Sequence, residues 1–245
     1  MIKDNLINYL FDKYKLNNDE KIELYNILKD IYFHPEFQKR LTKKFPHHGN
    51  HTLGDHIVKD AIVTYKLSKK YEKKKHRKPY DTKLAVTIAM FHDLYTECWQ
   101  NSIDKPKHFY NKHGFRHPIE AVINAYNWYP EMFPNNHDTK ILIDGIIHHM
   151  YPFPVTSYID DKKNNMELKN FLLTVNIDEN IKKMIIESSK RHKIYKVSFA
   201  RSKYKEGRIM SKADKKVARK ELNNYHSAKS LITGTNKRLI KKMEK

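Results

Sequence analysis

Histidine and aspartate side chains recur where separate predicted helices begin or end. An adjacent histidine–aspartate pair ends the most apolar segment of the chain, and histidines mark three further segments. Imidazole nitrogen and carboxylate oxygen together suit divalent ions of Mn, Fe, Co, Ni or Zn. These side chains are therefore candidate metal ligands: His56, His92, Asp93, His117, His148 and His149.

The surroundings of His92 and Asp93 strengthen this interpretation. Residues 84–91 are apolar except for Thr87, which predicts a buried helix directly before the pair. Neighbouring residues on a helix point about 100° apart, so both side chains reach one ion most easily from a helix end. Burying them costs several kcal/mol unless a charge neutralises them, and a divalent cation does so.

The elements that must position these residues are predicted to be helices, in an all-α domain. Apolar residues recur with the 3.6-residue helical period, whereas no hairpin signal and only six glycines occur in the chain. Asn18 or Asp19 is expected to cap the second helix, and Pro118 to lie in the first turn of a helix with His117 as its N-cap. The predicted helices cover about 2–14, 19–31, 53–71, 84–91, 118–126, 139–149, 165–192, 207–223 and 228–243.

Composition excludes several classes of protein. One cysteine rules out an internal disulfide framework, and neither a secretory signal nor a membrane-length apolar run is present. We therefore expect a cytoplasmic protein with no membrane contact. The common glycine-rich nucleotide loops are also absent.

Positive charge is concentrated at the C-terminal end. The net charge is +20, and residues 190–245 hold 19 Lys or Arg against 4 Asp or Glu, a net of +15. This end predicts contact with nucleic acid or with phosphorylated small molecules. A solvated lysine-rich surface remains the alternative.

Short strings around the histidines resemble the HD superfamily of metal-dependent phosphohydrolases, and in particular an uncharacterised bacterial branch of it. The strings are His48-Gly49-Asn50 with His56, Phe91-His92-Asp93, the segment HGFRHP at 113–118, and His149-Met150-Tyr151-Pro152. The resemblance spans about residues 45–156. It implies a helical bundle with N-terminal helices over 1–45, a core over 46–156, a helical insertion or lid over 157–200, and basic C-terminal helices over 201–245.

The resemblance also implies a ligand set. His56, His92, Asp93 and a late aspartate hold one ion, while His117 and His149 hold a second ion that Asp93 bridges. Asp178 and Asp214 compete for the late position, and Asp214 is preferred because it is the one acid on the apolar stripe of its helix. His148 is an alternative to His149 or a support for the ligands, whereas His48 and His113 are expected to support the ligands or to contact the substrate.

The implied activity is hydrolysis of a phosphate ester, with Asp93 and His92 central to catalysis, through a water that the metal activates. A nucleotide or another phosphorylated small molecule is the expected substrate. Many relatives carry a phosphate-contacting lysine soon after the HD pair, but here the next lysine is Lys105.

Four basic residues flank the ligand segments and are candidate substrate contacts: Arg116, Arg201, Lys203 and Lys205. His47, His51, His108 and His137 are interpreted as loop residues. Two other functions stay open. One is a di-iron oxygenase on the same fold, and the other is a nucleic-acid-binding protein that contacts its ligand through residues 190–245.

Overall fold

The computed structural model describes residues 4–47, 51–73, 80–96, 112–153, 155–156, 158–160, 165–189, 193–194, 197–198 and 201–223. Over these residues the fold is all-α, which confirms the predicted class. The helices are α1 (Asn5–Lys13), α2 (Asn18–Tyr32), α3 (Pro35–Arg40), α4 (Leu53–Glu72), α5 (Thr82–Phe91), α6 (His113–Trp128), α7 (His137–Ile147), α8 (Leu168–Leu173), α9 (Glu179–Ser189) and α10 (residues 205–223). Among the described helices, none combines the length and apolarity that crossing a bilayer requires.

The first three helices begin at side-chain caps. Asp4 caps α1, and His34 with Pro35 starts α3. Asn17 caps α2 in a reciprocal capping box with Glu20, so the expectation of Asn18 or Asp19 is wrong by one or two residues. The cap moves because the side chain of Glu20 reaches back to the Asn17 backbone, which fixes the first turn.

Helices α4 and α5 form the centre of the molecule. Thr52 caps α4, which packs mainly against α5 and is buried over most of its first three turns. α5 is buried along nearly its whole length and ends at Phe91. His92 is its C-cap residue, so the His92–Asp93 pair lies at a helix end, as the sequence predicted.

Helix α6 begins earlier than expected. It starts at His113, so His117 lies inside the helix, and the N-cap position assigned to His117 is wrong. Pro118 lies in the second turn, where its missing N–H removes only the bond to the Gly114 carbonyl. α6 packs against α7, which Asn136 caps.

The segment expected to be a helical insertion has a mixed structure. The helix predicted over 165–192 is instead the two helices α8 and α9, and short strands accompany them. β1 (Val155–Thr156), β5 (Val197–Ser198) and β4 (Lys193–Ile194) pair in that order, and β2 (Tyr158–Asp160) pairs with β3 (Asn165–Glu167). All three strand pairings are antiparallel.

Helix α10 is held against α7 by a close backbone approach and a buried carboxylate. A Cβ atom built on Gly207 would lie 2.6 Å from the Cα of Gly145, so the two helices cross where neither has a side chain. Asp144 accepts hydrogen bonds from the hydroxyl of Ser202 (2.7 Å) and the backbone N–H of Lys203 (2.8 Å). These contacts fix the start of the helix that carries Asp214. The helix predicted over 228–243 lies outside the described residues.

Candidate metal centre

Five helices bring buried histidines and aspartates to one point in the core. α4 carries His56 and Asp60, α5 ends at His92 and Asp93, α6 carries His117, the turn after α7 carries His149, and α10 carries Asp214. All seven residues are less than a tenth exposed. The predicted ligands His56, His92, Asp93, His117, His149 and Asp214 are therefore brought together, and Asp60 joins them.

The first group consists of His56, Asp60, His92 and Asp214. One nitrogen or oxygen atom from each lies within 4.8 Å of those of the others. The Nε2 atom of His56 is 3.1 Å from Oδ2 of Asp60 and 3.6 Å from Oδ1 of Asp214. Nε2 of His92 lies 3.3 Å from the same Asp60 oxygen. Two imidazoles and two carboxylates thus offer four donor atoms to one cation.

The second group consists of Asp93, His117 and His149. Oδ1 of Asp93 lies 3.0 Å from Nε2 of His117 and 3.5 Å from Nε2 of His149, and the two nitrogens are 2.9 Å apart. Oδ2 of Asp93 faces the other way, 3.6 Å from Nε2 of His92. The carboxylate of Asp93 therefore lies between the two groups.

All four imidazoles are oriented in the same manner. In each ring Nδ1 is held by an oxygen acceptor, and carbonyls can only accept, so the proton resides on Nδ1. When such a ring is neutral, the lone pair of Nε2 faces the centre, which is the orientation that metal-binding histidines adopt. Burial disfavours the charged forms of His56 and His117, but Asp60 and Asp93 raise the pKa of these two rings above the usual value, so both must lose a proton before they bind a metal. The acceptors are Ala89 O for His92 (2.7 Å), His113 O for His117 (3.0 Å), Ile146 O for His149 (2.8 Å) and Glu221 Oε2 for His56 (2.9 Å).

Unsatisfied polar atoms indicate that this centre suits a cation. Both carboxylate oxygens of Asp60 and Nε2 of His92 are buried and have no hydrogen-bond partner among the residues that the structure describes. Nε2 of His117 and Nε2 of His149 lie 2.9 Å apart, so either a shared proton or a metal ion must lie between the two nitrogens. Such atoms are costly in a protein interior. The buried histidines and aspartates could therefore hold a metal ion.

The charges of the centre depend strongly on one another. Burial raises the pKa of Asp60 to about 6, although His56 opposes that effect. Burial also disfavours the charged form of Asp93, but the neighbouring His92 and His117 hold its pKa well below the usual range. For His149, burial and the adjacent His117 lower the pKa to about 3, which leaves its ring neutral and able to donate a lone pair.

Sequence reasoning missed three members of this region. Asp60 lies one helical turn after His56 on the buried face of α4, and that i, i+4 spacing was the available signal. Glu221 lies two turns after Asp214 on α10 and is buried. His47 was interpreted as a loop residue. The centre of its ring lies 4.0 Å from that of His56, and one of its ring nitrogens lies within 4.8 Å of a carboxylate oxygen of Asp93.

A third acidic cluster, His51, Asp55 and Glu221, is already occupied by an ammonium group. The Nζ atom of Lys59 lies 2.6 Å from Asp55, 2.9 Å from Glu221 and 3.0 Å from His51. Lys59 thus neutralises Glu221 while Glu221 orients His56. This cluster therefore supports the candidate metal centre through Glu221, with the ammonium group of Lys59 in the place of a cation. His51, interpreted as a loop residue, belongs to this network.

The remaining histidine and aspartate candidates lie elsewhere. Nε2 of His148 faces the carbonyl of Ser188 at 3.2 Å, so His148 does not replace His149. His113 orients His117 through its carbonyl and stacks on it at 4.9 Å, next to the ligands. Asp178 caps α9. His137 is the first residue of α7, and His48 and His108 lie outside the described residues.

The four basic candidates for substrate contact have different surroundings. Arg116 is half-buried on α6, one residue before His117. Arg201 faces the ring of Tyr151. The ammonium group of Lys203 lies over the ring of Tyr204. The ammonium group of Lys205 lies over the ring of Tyr80. These two contacts hold the side chains against aromatic rings and not against the histidines and aspartates of the centre.

Comparison of the chain with protein-family models, curated proteins and solved structures finds no match. The function of the chain is therefore inferred from the geometry of the centre.

Proposed function

We propose that the protein is a metal-dependent phosphohydrolase of the HD type, with two divalent transition-metal ions at the described centre. Its substrate is a nucleotide or another phosphorylated small molecule. The observation that carries this proposal is the common orientation of four imidazoles. Their Nδ1 atoms all make hydrogen bonds to oxygen atoms, while their Nε2 atoms face three buried carboxylates. That arrangement is costly without a cation and favourable with one.

The chain supplies the ligands in two groups. His56, Asp60, His92 and Asp214 would hold one ion, and His117 with His149 the second, with one oxygen of Asp93 facing each group. Two such ions, when bound, would lower the pKa of a coordinated water and neutralise charge on the phosphoryl oxygens. The proposed reaction would then need no nucleophilic side chain from the protein.

The protein's own contribution is to fix these ligands before substrate arrives. The carbonyls of Ala89, His113 and Ile146 belong to helices or their last turns, so the rings they hold cannot rotate without breaking a hydrogen bond. Glu221 does the same for His56, and Lys59 holds Glu221 in place. Rigid placement of this kind avoids reorganisation during the reaction.

The proposal is tested with metal-free protein and two chromogenic esters, p-nitrophenyl phosphate and bis-p-nitrophenyl phosphate. We expect hydrolysis of at least one ester after addition of Mn²⁺, Ni²⁺ or Co²⁺, and loss of that activity in Asp93→Ala. Asp178→Ala is the matched control, because Asp178 only caps α9. Activity that survives in Asp93→Ala would refute the proposed site. Iron-dependent consumption of O₂ without ester hydrolysis would refute the proposed reaction.

A further inference from the structure

A pocket of about 870 Å³ lies along the outward face of α10. It is closed on one side by His148 and Tyr151, from the turn after α7, and by Arg201 before α10. Its lining is separate from the buried donor groups, since none of the seven metal-centre side chains contributes to it. The pocket therefore needs an explanation of its own.

The charge of this pocket has one sign. Seven of the thirteen described lining residues are Lys or Arg, and none is Asp or Glu. No ion pair joins any of the seven to a carboxylate of the described residues, although Lys59, Lys69 and Lys182 on other helices all make such pairs. Because no neighbouring carboxylate neutralises these cations, their positive potentials add up inside the pocket. Such a pocket attracts anions strongly.

The spacing of the cations favours a long anion. Arg208, Lys212, Lys216 and Lys220 follow each other at four-residue intervals on α10. Four residues rise about 6 Å along a helix, so the row extends over about 18 Å. The three phosphates of one nucleotide cover only part of that length, whereas a strand of linked nucleotides places successive phosphates along all of it.

Tyr151 adds an aromatic surface to the same pocket. Tyr151 is 39% exposed. The charged groups of Arg201 and Lys215 lie 5.9 Å and 5.1 Å from the centre of its ring. Proteins that bind single-stranded nucleic acid commonly combine a basic groove with exposed aromatic rings. The cations contact the phosphates, and the ring stacks on a base.

We infer that this pocket binds single-stranded nucleic acid, with the phosphate backbone along α10 and a base against Tyr151. The inference does not depend on the proposed hydrolysis, because binding requires neither the metal ligands nor turnover. It assigns a macromolecular partner to the basic C-terminal part of the chain.

The test is fluorescence anisotropy of a labelled 20-nucleotide oligothymidylate with the full-length protein, in a metal chelator, between 50 and 300 mM NaCl. Each phosphate contact to a single strand contributes about 0.7 to the slope of log affinity against log salt. The triple variant Lys212→Gln/Lys216→Gln/Arg219→Gln should therefore lower the slope by about 2 and weaken binding about 100-fold at 0.1 M salt. The matched control is Lys29→Gln/Lys43→Gln/Lys44→Gln, which removes three exposed cations outside the pocket and should bind like the wild type.

Tyr151→Ala separates nucleic acid from other phosphate chains. It should weaken binding of the oligonucleotide about tenfold, as loss of one stacked base implies, and leave competition by inorganic polyphosphate unchanged. Equal loss of affinity in the pocket and control triple variants would overturn the inference, as would oligonucleotide binding that Tyr151→Ala leaves intact. Because a chelator is present, ester hydrolysis can fail while this binding succeeds, or the reverse.

Discussion

Replacing Gly207 with alanine should loosen the attachment of α10 and thereby weaken the metal centre. The added Cβ would lie 2.6 Å from the Cα of Gly145. It would also clash with the hydroxyl group of Ser202. Carbon atoms in contact are separated by about 3.5–4.0 Å, so the two helices must move apart by about 1 Å. Backbone atoms of Gly145 cannot rotate away, which leaves displacement of α10 as the response.

The energetic cost follows from two opposing terms. Overpacking of this kind costs about 1–3 kcal/mol. Alanine recovers up to about 1 kcal/mol, because it favours a helix more than glycine does. We therefore expect a net loss of about 1–2 kcal/mol in the free energy of unfolding, which lowers Tm by roughly 3–6 °C in a chain of this size. Asp214 lies two turns further along the same helix and moves with it, so affinity for Mn²⁺ should fall about tenfold.

The assay combines thermal unfolding with calorimetric titration of the metal-free protein. Gly114→Ala is the matched control, because Gly114 lies in the first turn of α6 and a Cβ there meets nothing within 4 Å. The control should keep or raise Tm and keep its metal affinity. If Gly207→Ala unfolds and binds Mn²⁺ like the wild type, the close approach of the two helices does not position Asp214, and the reasoning is wrong.

Two further substitutions test the supports of the centre. Glu221→Gln should weaken Mn²⁺ binding by about tenfold in a calorimetric titration, because a neutral amide is a poorer acceptor for Nδ1 of His56; unchanged affinity would show that Glu221 does not orient this ring. Asp144→Asn should cost about 2 kcal/mol in urea unfolding, because the backbone N–H of Lys203 and its neighbours lose a charged acceptor. Asp138→Asn, an exposed change on the same helix, serves as its control and should leave the unfolding midpoint within the error of the wild type, so an equal loss in both would contradict the account.

Much of the fold followed from periodic apolar residues, since burial of one face is what fixes these helices. The buried segment ending at Phe91 is the clearest case, because residues 84–91 are apolar except for Thr87 and the polar pair comes directly after them. The start of α6 was misplaced because proline is favoured in the first turn of a helix, whereas α6 accommodates Pro118 in its second turn with the loss of one backbone hydrogen bond. The single helix expected over 165–192 is interrupted at Thr174 and Asp178, which end and cap separate helices.

The centre was predictable only where a helix end or a short string marked it. Asp60 lies in α4, which is buried over most of its first three turns, so the i, i+4 spacing from His56 is a weak signal until the neighbouring helices show which side chains meet. Glu221 is equally hidden, because a basic segment surrounds it and only the contact with His56 across 165 residues gives it a role. Tertiary contacts, not local pattern, select these two carboxylates.

The number of metal ions that the chain binds tests the proposed centre most directly. Calorimetric titration of chelator-treated protein with Mn²⁺, checked by elemental analysis after dialysis, should give two ions per wild-type chain. In Asp93→Ala the stoichiometry should fall to one or none, because the carboxylate between the two donor groups is lost. A wild-type chain that binds no transition metal at millimolar concentration, or an Asp93→Ala chain that still binds two ions, would contradict the account.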